Sequence, residues 1–167
     1  KQSKLIVQMT ISTFNDDLAL KLEPNVSKTS DRIKALSILK EHQIPSIVWI
    51  SPLLPWINDD LDNLKRILEA CKKAEVLGII WFCASMTLRE GNREYFYQQL
   101  DRLFPGLKNR YINQYRDSYV IHSSNHQQLN DYLEMFCKKH HMMYNHSEIF
   151  NYINDISQEK TSQLSLF

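Results

Sequence analysis

The sequence predicts an α/β fold in which three parallel strands are followed by a helical extension. Three short apolar segments rich in β-branched residues have the composition of buried strands, at about residues 4–11, 46–51 and 76–84. Helical segments separate them, and this alternation is typical of a parallel sheet. After the third strand the pattern is helical. We assign residues 1–90 to the strand and helix repeat, 91–156 to the helical extension and 157–167 to a polar tail.

The connection between the first two strands contains two predicted helices. Asn15 is a suitable N-cap and aspartates follow it, so we expect a short helix that ends at about Leu22. Pro24 stops this helix, because proline disfavours helical backbone in the residue before it. Thr29 or Ser30 is expected to cap the longer helix that leads to the second strand.

The second strand, from Ser46 to Ser51, is apolar at nearly every position, which indicates burial on both faces of the sheet. Pro52 and Pro55 stiffen the loop after it. Asn58 is expected to cap the next helix, because three aspartates lie in the turn that follows. A third apolar segment then repeats the strand pattern.

Four helices are expected beyond the third strand, at about residues 95–103, 107–115, 125–141 and 147–156. Three strands are too few to close a barrel. The sheet is therefore either a small layer covered by its own helical tail or one half of a larger α/β barrel. The chain begins with Lys1 and enters a strand almost at once, so we expect a part of a longer protein, which favours the half-barrel.

The composition excludes several classes of function. A net charge of +1 gives no strong attraction of the whole chain to nucleic acid or to an acidic membrane. The three glycines are isolated, which excludes glycine-rich phosphate loops. Three dispersed cysteines are typical of reduced thiols. With neither a leader-like nor a long apolar segment in the sequence, we expect a soluble cytoplasmic protein without a membrane partner.

The carboxyl ends of the first two strands form the predicted site. Parallel strands joined by a right-handed crossover end at the same edge of the sheet, where α/β proteins bind their ligands. We therefore expect Ser12 and Thr13, after the first strand, to lie near Pro52, after the second. Arg32 on the crossover helix is expected to reach the same region.

The order of motifs resembles the second half of the spore photoproduct lyase-like branch of the radical S-adenosylmethionine proteins. Each motif is weak alone, but their order and spacing are fairly specific, and together they cover roughly residues 5 to 130. The similar segments are ISTFNDDL at 11–18, LEPNV at 22–26, SDR at 30–32, SPLLPWIND at 51–59, MTLR at 86–89, NREYFY at 92–97, FPGL at 104–107 and SN at 124–125.

This resemblance implies a lyase, with DNA repair as one known activity of the family, and a partial (β/α)₆ barrel related to the TIM barrel. This chain would hold the last three strands and the C-terminal extension. In the family a CxxxCxxC loop binds a [4Fe–4S] cluster that reduces S-adenosylmethionine to a 5′-deoxyadenosyl radical. The chain has no such loop, and its dispersed cysteines cannot replace it. Its partner would be the missing N-terminal half of the barrel, without which it is expected to be inactive.

The resemblance also implies roles for residues at the predicted edge. Ser12, with Thr13 beside it, resembles the polar contact to the ribose or amino-acid part of S-adenosylmethionine. Arg32 resembles the partner of the cofactor carboxylate, a role that suits guanidinium geometry. Pro52 and Leu53 resemble the apolar turn against which adenine lies.

The tail ends in a segment that resembles the short peptide by which bacterial DNA-metabolising proteins dock on the sliding clamp. Gln163 would fill one pocket of the clamp, and Leu164, Leu166 and Phe167 supply the apolar cluster that fills another. An ordinary alternative is a tail that packs on its own domain or is disordered. The second functional hypothesis is thus a non-catalytic α/β interaction domain that recruits a partner such as a sliding clamp.

Overall fold

A computed structural model describes residues 5–82 and 84–157, and it confirms an α/β fold with a three-stranded parallel sheet. The strands are β1 (Val7–Thr10), β2 (Ser46–Ile50) and β3 (Gly78–Trp81), and β2 lies in the centre. In register, Met9 lies beside Val48, and Val48 lies beside Ile79. Since the strands follow chain order across the sheet, the loops after β1 and β2 are neighbours.

Helices connect consecutive strands, as the alternating pattern predicts. The helices α1 (Asp16–Leu22) and α2 (Thr29–Glu41) lead from β1 to β2, and α3 (Leu61–Lys73) leads from β2 to β3. Asn15 caps α1 as expected, because its side-chain oxygen accepts a hydrogen bond from the Leu18 amide at 3.0 Å.

Two of the predicted caps are wrong. The helix α2 has no side-chain cap: Thr29 donates its hydroxyl to the Thr13 carbonyl at 2.7 Å, and Ser30 binds a carboxylate of α1. The cap of α3 is Asp60, not Asn58. These side chains join separate parts of the chain, and the same polar groups that suit a cap also suit such tertiary hydrogen bonds.

The two faces of the sheet are covered by different helices. On one face Val48 and Ile50 pack with α2, α3 and α6 (His126–Lys139) in the main core. On the other face Ile47 and Ile80 pack with α7 (His146–Ser157). No helix in the described part of the chain is long and apolar enough to cross a lipid bilayer.

The segment that leads into α7, and α7 itself, pack so closely against β3 that position 78 of this strand requires a glycine. A Cβ atom on Gly78 would lie 3.1 Å from the Cβ of Met143 and 3.3 Å from the Cδ1 of Ile149. Met143 also pairs with the edge of β3, because its carbonyl accepts from the Ile79 amide at 2.8 Å. The sheet face and its covering helix therefore form one packed unit.

A smaller unit lies beyond the sheet. The strands β4 (Ser85–Thr87) and β5 (Val120–His122) form an antiparallel pair, and α4 (Asn92–Leu103) and α5 (Leu107–Tyr115) pack beside it around the buried Tyr111. Neither strand was expected, because three residues are too few to show an alternating pattern.

Buried Asp59 connects this smaller unit to the loop after β2. Its carboxylate accepts hydrogen bonds from the Trp56 amide at 2.7 Å and from the Ser123 hydroxyl. Its carbonyl accepts from the Asn125 side chain at 3.1 Å. The smaller unit is thereby fixed next to the carboxyl edge of the parallel sheet.

Candidate functional site

Two buried asparagines hold the loops after β1 and β2 together. The side-chain amide of Asn58 donates to the carbonyls of Ser12 at 2.9 Å and Pro52 at 3.2 Å, and its oxygen accepts from the Leu54 amide at 2.6 Å. Asn63 donates to the same Ser12 carbonyl at 3.2 Å. Because both asparagines are buried, these hydrogen bonds are shielded from water and fix the spacing of the two loops.

A mainly apolar cavity of about 260 Å³ opens between this edge and α4. Ser12 and Pro52 line it from the loops after β1 and β2, and Glu23 lines it from the end of α1. Phe96 and Leu100 line it from α4. Two of the residues predicted to contact a cofactor therefore lie at the same cavity.

The hydroxyl of Ser12 is a polar group available at this cavity. Ser12 is only 3% exposed, and its carbonyl is held by the two asparagines. Its side chain makes no hydrogen bond within residues 5–82 and 84–157, and its hydroxyl is not among the fully buried, unsatisfied side-chain groups of that part of the chain. A ligand in the cavity could therefore hydrogen-bond to this hydroxyl.

Thr13 and Leu53 lie close by but do not line the cavity. The Thr13 hydroxyl accepts a hydrogen bond from the Asn15 amide at 3.2 Å, and its carbonyl accepts from Thr29. Leu53 is buried in the main core. In this structure both residues contribute to the internal packing of the edge.

Arg32 lies beside the edge, where both ends of its guanidinium have partners. It forms an ion pair with Glu23 at 2.7 Å and donates to the Thr10 carbonyl at 2.8 Å. Its side chain is 12% exposed. To bind the carboxylate of a ligand, Arg32 has to exchange Glu23 for that ligand.

A second, more open recess of about 520 Å³ lies on the other side of Pro52. Hydroxyl-bearing residues line it, namely Ser51, Ser85 and Thr87. Phe82 lines it too and is 42% exposed, so a flat aromatic group could stack on this ring. The sequence does not reveal this recess, because Phe82 falls within the apolar segment that predicts the third strand.

Burial raises the pKa of the two described thiols. Cys71 and Cys137 both have a pKa of about 12, so in this structure neither thiol is ionised near neutral pH. Across the described residues, no group of three or more His, Cys, Asp or Glu side chains is placed to hold a metal ion.

No protein-family profile matches this chain, and no curated protein or solved structure is significantly similar to it. The geometry of the edge and the order of motifs are thus the basis for a functional assignment. The candidate docking residues Gln163, Leu164, Leu166 and Phe167 lie outside the described residues.

Proposed function

We propose that this chain is the C-terminal half of a radical S-adenosylmethionine enzyme of the spore photoproduct lyase-like type and supplies part of the cofactor crevice. The main supporting observation is that Ser12 and Pro52 line one cavity at the carboxyl edge of two adjacent parallel strands. Sheet edges of this kind bind ligands in many α/β folds, and the order of motifs selects this family among them.

In this proposal S-adenosylmethionine lies across the ends of β1 and β2. The free hydroxyl of Ser12 binds the ribose or the amino-acid part, and Pro52 provides an apolar surface for adenine. Arg32 binds the cofactor carboxylate in place of Glu23, since a guanidinium can donate two parallel hydrogen bonds to it. The bound cofactor, reduced by the cluster, supplies the radical chemistry, while this chain binds and orients it.

The missing N-terminal half of the barrel is the partner that this proposal requires. It would provide the cluster ligands, because the sequence of this chain contains no CxxxCxxC loop. The three strands in chain order are the arrangement expected of one half of such a barrel. A DNA lesion is the substrate class that the resemblance suggests, and a net charge of +1 means that contacts to DNA have to come from a local surface.

The experiment uses the complete protein that contains this chain, purified without oxygen and supplied with S-adenosylmethionine and dithionite. We expect formation of 5′-deoxyadenosine, with an apparent cofactor affinity about five- to tenfold weaker in Ser12→Ala, because one hydrogen bond is lost. Ser37→Ala is the matched control, since this exposed serine only bonds the Ile33 carbonyl of its own helix at 3.2 Å. Iron-loaded protein that forms no 5′-deoxyadenosine would refute the proposal.

A second proposal, compatible with the first, is that the C-terminal segment recruits a sliding clamp. Its support is the sequence from Gln163 to Phe167, in which an apolar cluster ends a polar tail. A peptide of residues 158–167 is expected to bind a purified bacterial clamp saturably, and the double variant Leu166→Ala, Phe167→Ala is expected not to bind. Equal binding of both peptides would contradict this docking mode.

A further inference from the structure

We propose that the cavity between α1 and α4 is a binding pocket for an uncharged, mostly apolar group of about nine non-hydrogen atoms, and that this group belongs to the substrate. The existence of the pocket follows from the cavity itself, whereas its assignment to the substrate rests on the proposed function. The size follows from the volume of about 260 Å³, given that a water-sized unit occupies about 30 Å³ of liquid.

The walls of the cavity favour an apolar occupant. Phe96, Leu100 and Leu103 follow helical spacing, so they present one face of α4 to the cavity. Leu22 and Pro24 line it at the end of α1. Apolar surfaces that border a gap gain favourable contacts when an apolar group fills it.

The charged side chains at the cavity already have partners within the protein. Glu23 is paired with Arg32 at 2.7 Å, and Arg102 donates to the Gln99 side-chain oxygen at 2.8 and 3.1 Å. Lys21 lies over an aromatic ring, 4.2 Å from its centroid. An uncharged group leaves all of these interactions in place, whereas an anion has to draw Lys21 or Arg102 away from its present neutral partner, so we expect an uncharged group to be preferred.

At least one polar contact is available to the ligand. Ser12 lines the cavity, and no hydrogen bond of its hydroxyl is found in the described part of the chain. The preferred group therefore has at least one hydrogen-bonding atom in an otherwise apolar frame. The proposed function places S-adenosylmethionine at Ser12 and Pro52, so in the proposed enzyme the substrate group would occupy the part of the cavity towards α4, beside the cofactor.

The test is a titration of the full 167-residue chain, labelled with ¹⁵N, with indole as the probe. Indole is neutral, has one N–H donor and matches the cavity in size. We expect saturable shifts of amide signals in α4 and in the loop after β1, and about fivefold weaker binding in Ser12→Ala. The anion indole-3-acetate is expected to bind more weakly than indole, because its carboxylate has to draw Lys21 or Arg102 away from its present partner.

A pair of variants on α4 separates filling of the cavity from damage to the helix. Gln99→Trp places a large side chain at the cavity and is expected to abolish binding. Gln98→Trp is the matched control, because Gln98 is exposed and does not line the cavity, so indole affinity should remain unchanged. Spectra of both variants without indole verify that the fold is intact.

Three outcomes would overturn the pocket: no saturation below about 10 mM indole, equal affinity for indole-3-acetate, or unchanged binding in a folded Gln99→Trp protein. The titration needs neither a cluster nor S-adenosylmethionine. If indole does not bind but the complete protein still forms 5′-deoxyadenosine, only the proposed pocket is refuted. If indole binds saturably but the complete protein binds no cluster, only the proposed function is refuted.

Discussion

Replacement of Asn58 by alanine is expected to loosen the carboxyl edge of the sheet. Asn58 is 1% exposed and makes three hydrogen bonds, of 2.6, 2.9 and 3.2 Å, to backbone groups of two loops. The Ser12 carbonyl keeps its bond from Asn63, but the Leu54 amide loses its partner. At about 1 kcal/mol for each of the three bonds, plus about 1 to 3 kcal/mol for a buried unsatisfied amide, the free energy of unfolding should fall by about 4 to 6 kcal/mol.

Urea unfolding followed by tryptophan fluorescence measures this loss. Asn113→Ala, at an exposed position of α5, is the control and should stay within about 0.5 kcal/mol of the parent. Asn58→Asp keeps an acceptor for the Leu54 amide but turns a carboxylate towards two carbonyls, so it should destabilise at least as much as alanine at neutral pH. If Asn58→Ala matched Asn113→Ala, the two loops would not be held in the way described.

Three further predictions concern packing, acid stability and thiol reactivity. Gly78→Ala should lower the free energy of unfolding by about 1 to 3 kcal/mol through overpacking, and Ile149→Val in the same chain should restore part of it, because it removes the Cδ1 atom that lies 3.3 Å from the added methyl; full additivity of the two losses would contradict this contact. Asp16 accepts hydrogen bonds from the hydroxyl and the amide of a serine in α2, which lowers its pKa below 3.8. Its stabilisation is therefore present above about pH 4 and is lost as the pH falls through the lowered pKa, so the urea midpoints of the parent and Asp16→Asn should converge as the pH is lowered through that pKa. Cys71 and Cys137 should be alkylated at pH 8 only after unfolding, as peptide mass spectrometry can show, because burial raises the pKa of both thiols to about 12.

The sheet and the position of the edge could be predicted from the sequence because each depends on a local signal. Parallel strands that are buried on both faces appear in the sequence as continuous apolar segments. Parallel strands joined through helices must end at the same edge of the sheet. The meeting of Ser12 and Pro52 at one cavity follows from this rule. The engagement of Arg32 by Glu23 does not, because it depends on how the end of α1 folds back towards α2.

Other features depend on long-range packing that no local pattern encodes. The pattern of α7 predicts a helix with one apolar side, but not which surface of the sheet that side covers. The role of Asn58 was missed for a related reason, since the same side chain can cap a helix or bridge two loops. The cavity beside α4 could not be predicted at all, because its walls come from four separate segments.

The intact mass of the natural protein, measured together with its iron content after purification without oxygen, tests the central claim most directly. We predict a chain much heavier than 19.8 kDa that carries about four irons, as a [4Fe–4S] cluster requires. A natural product of 19.8 kDa that binds no iron would contradict the assignment to a radical enzyme and would favour the interaction domain.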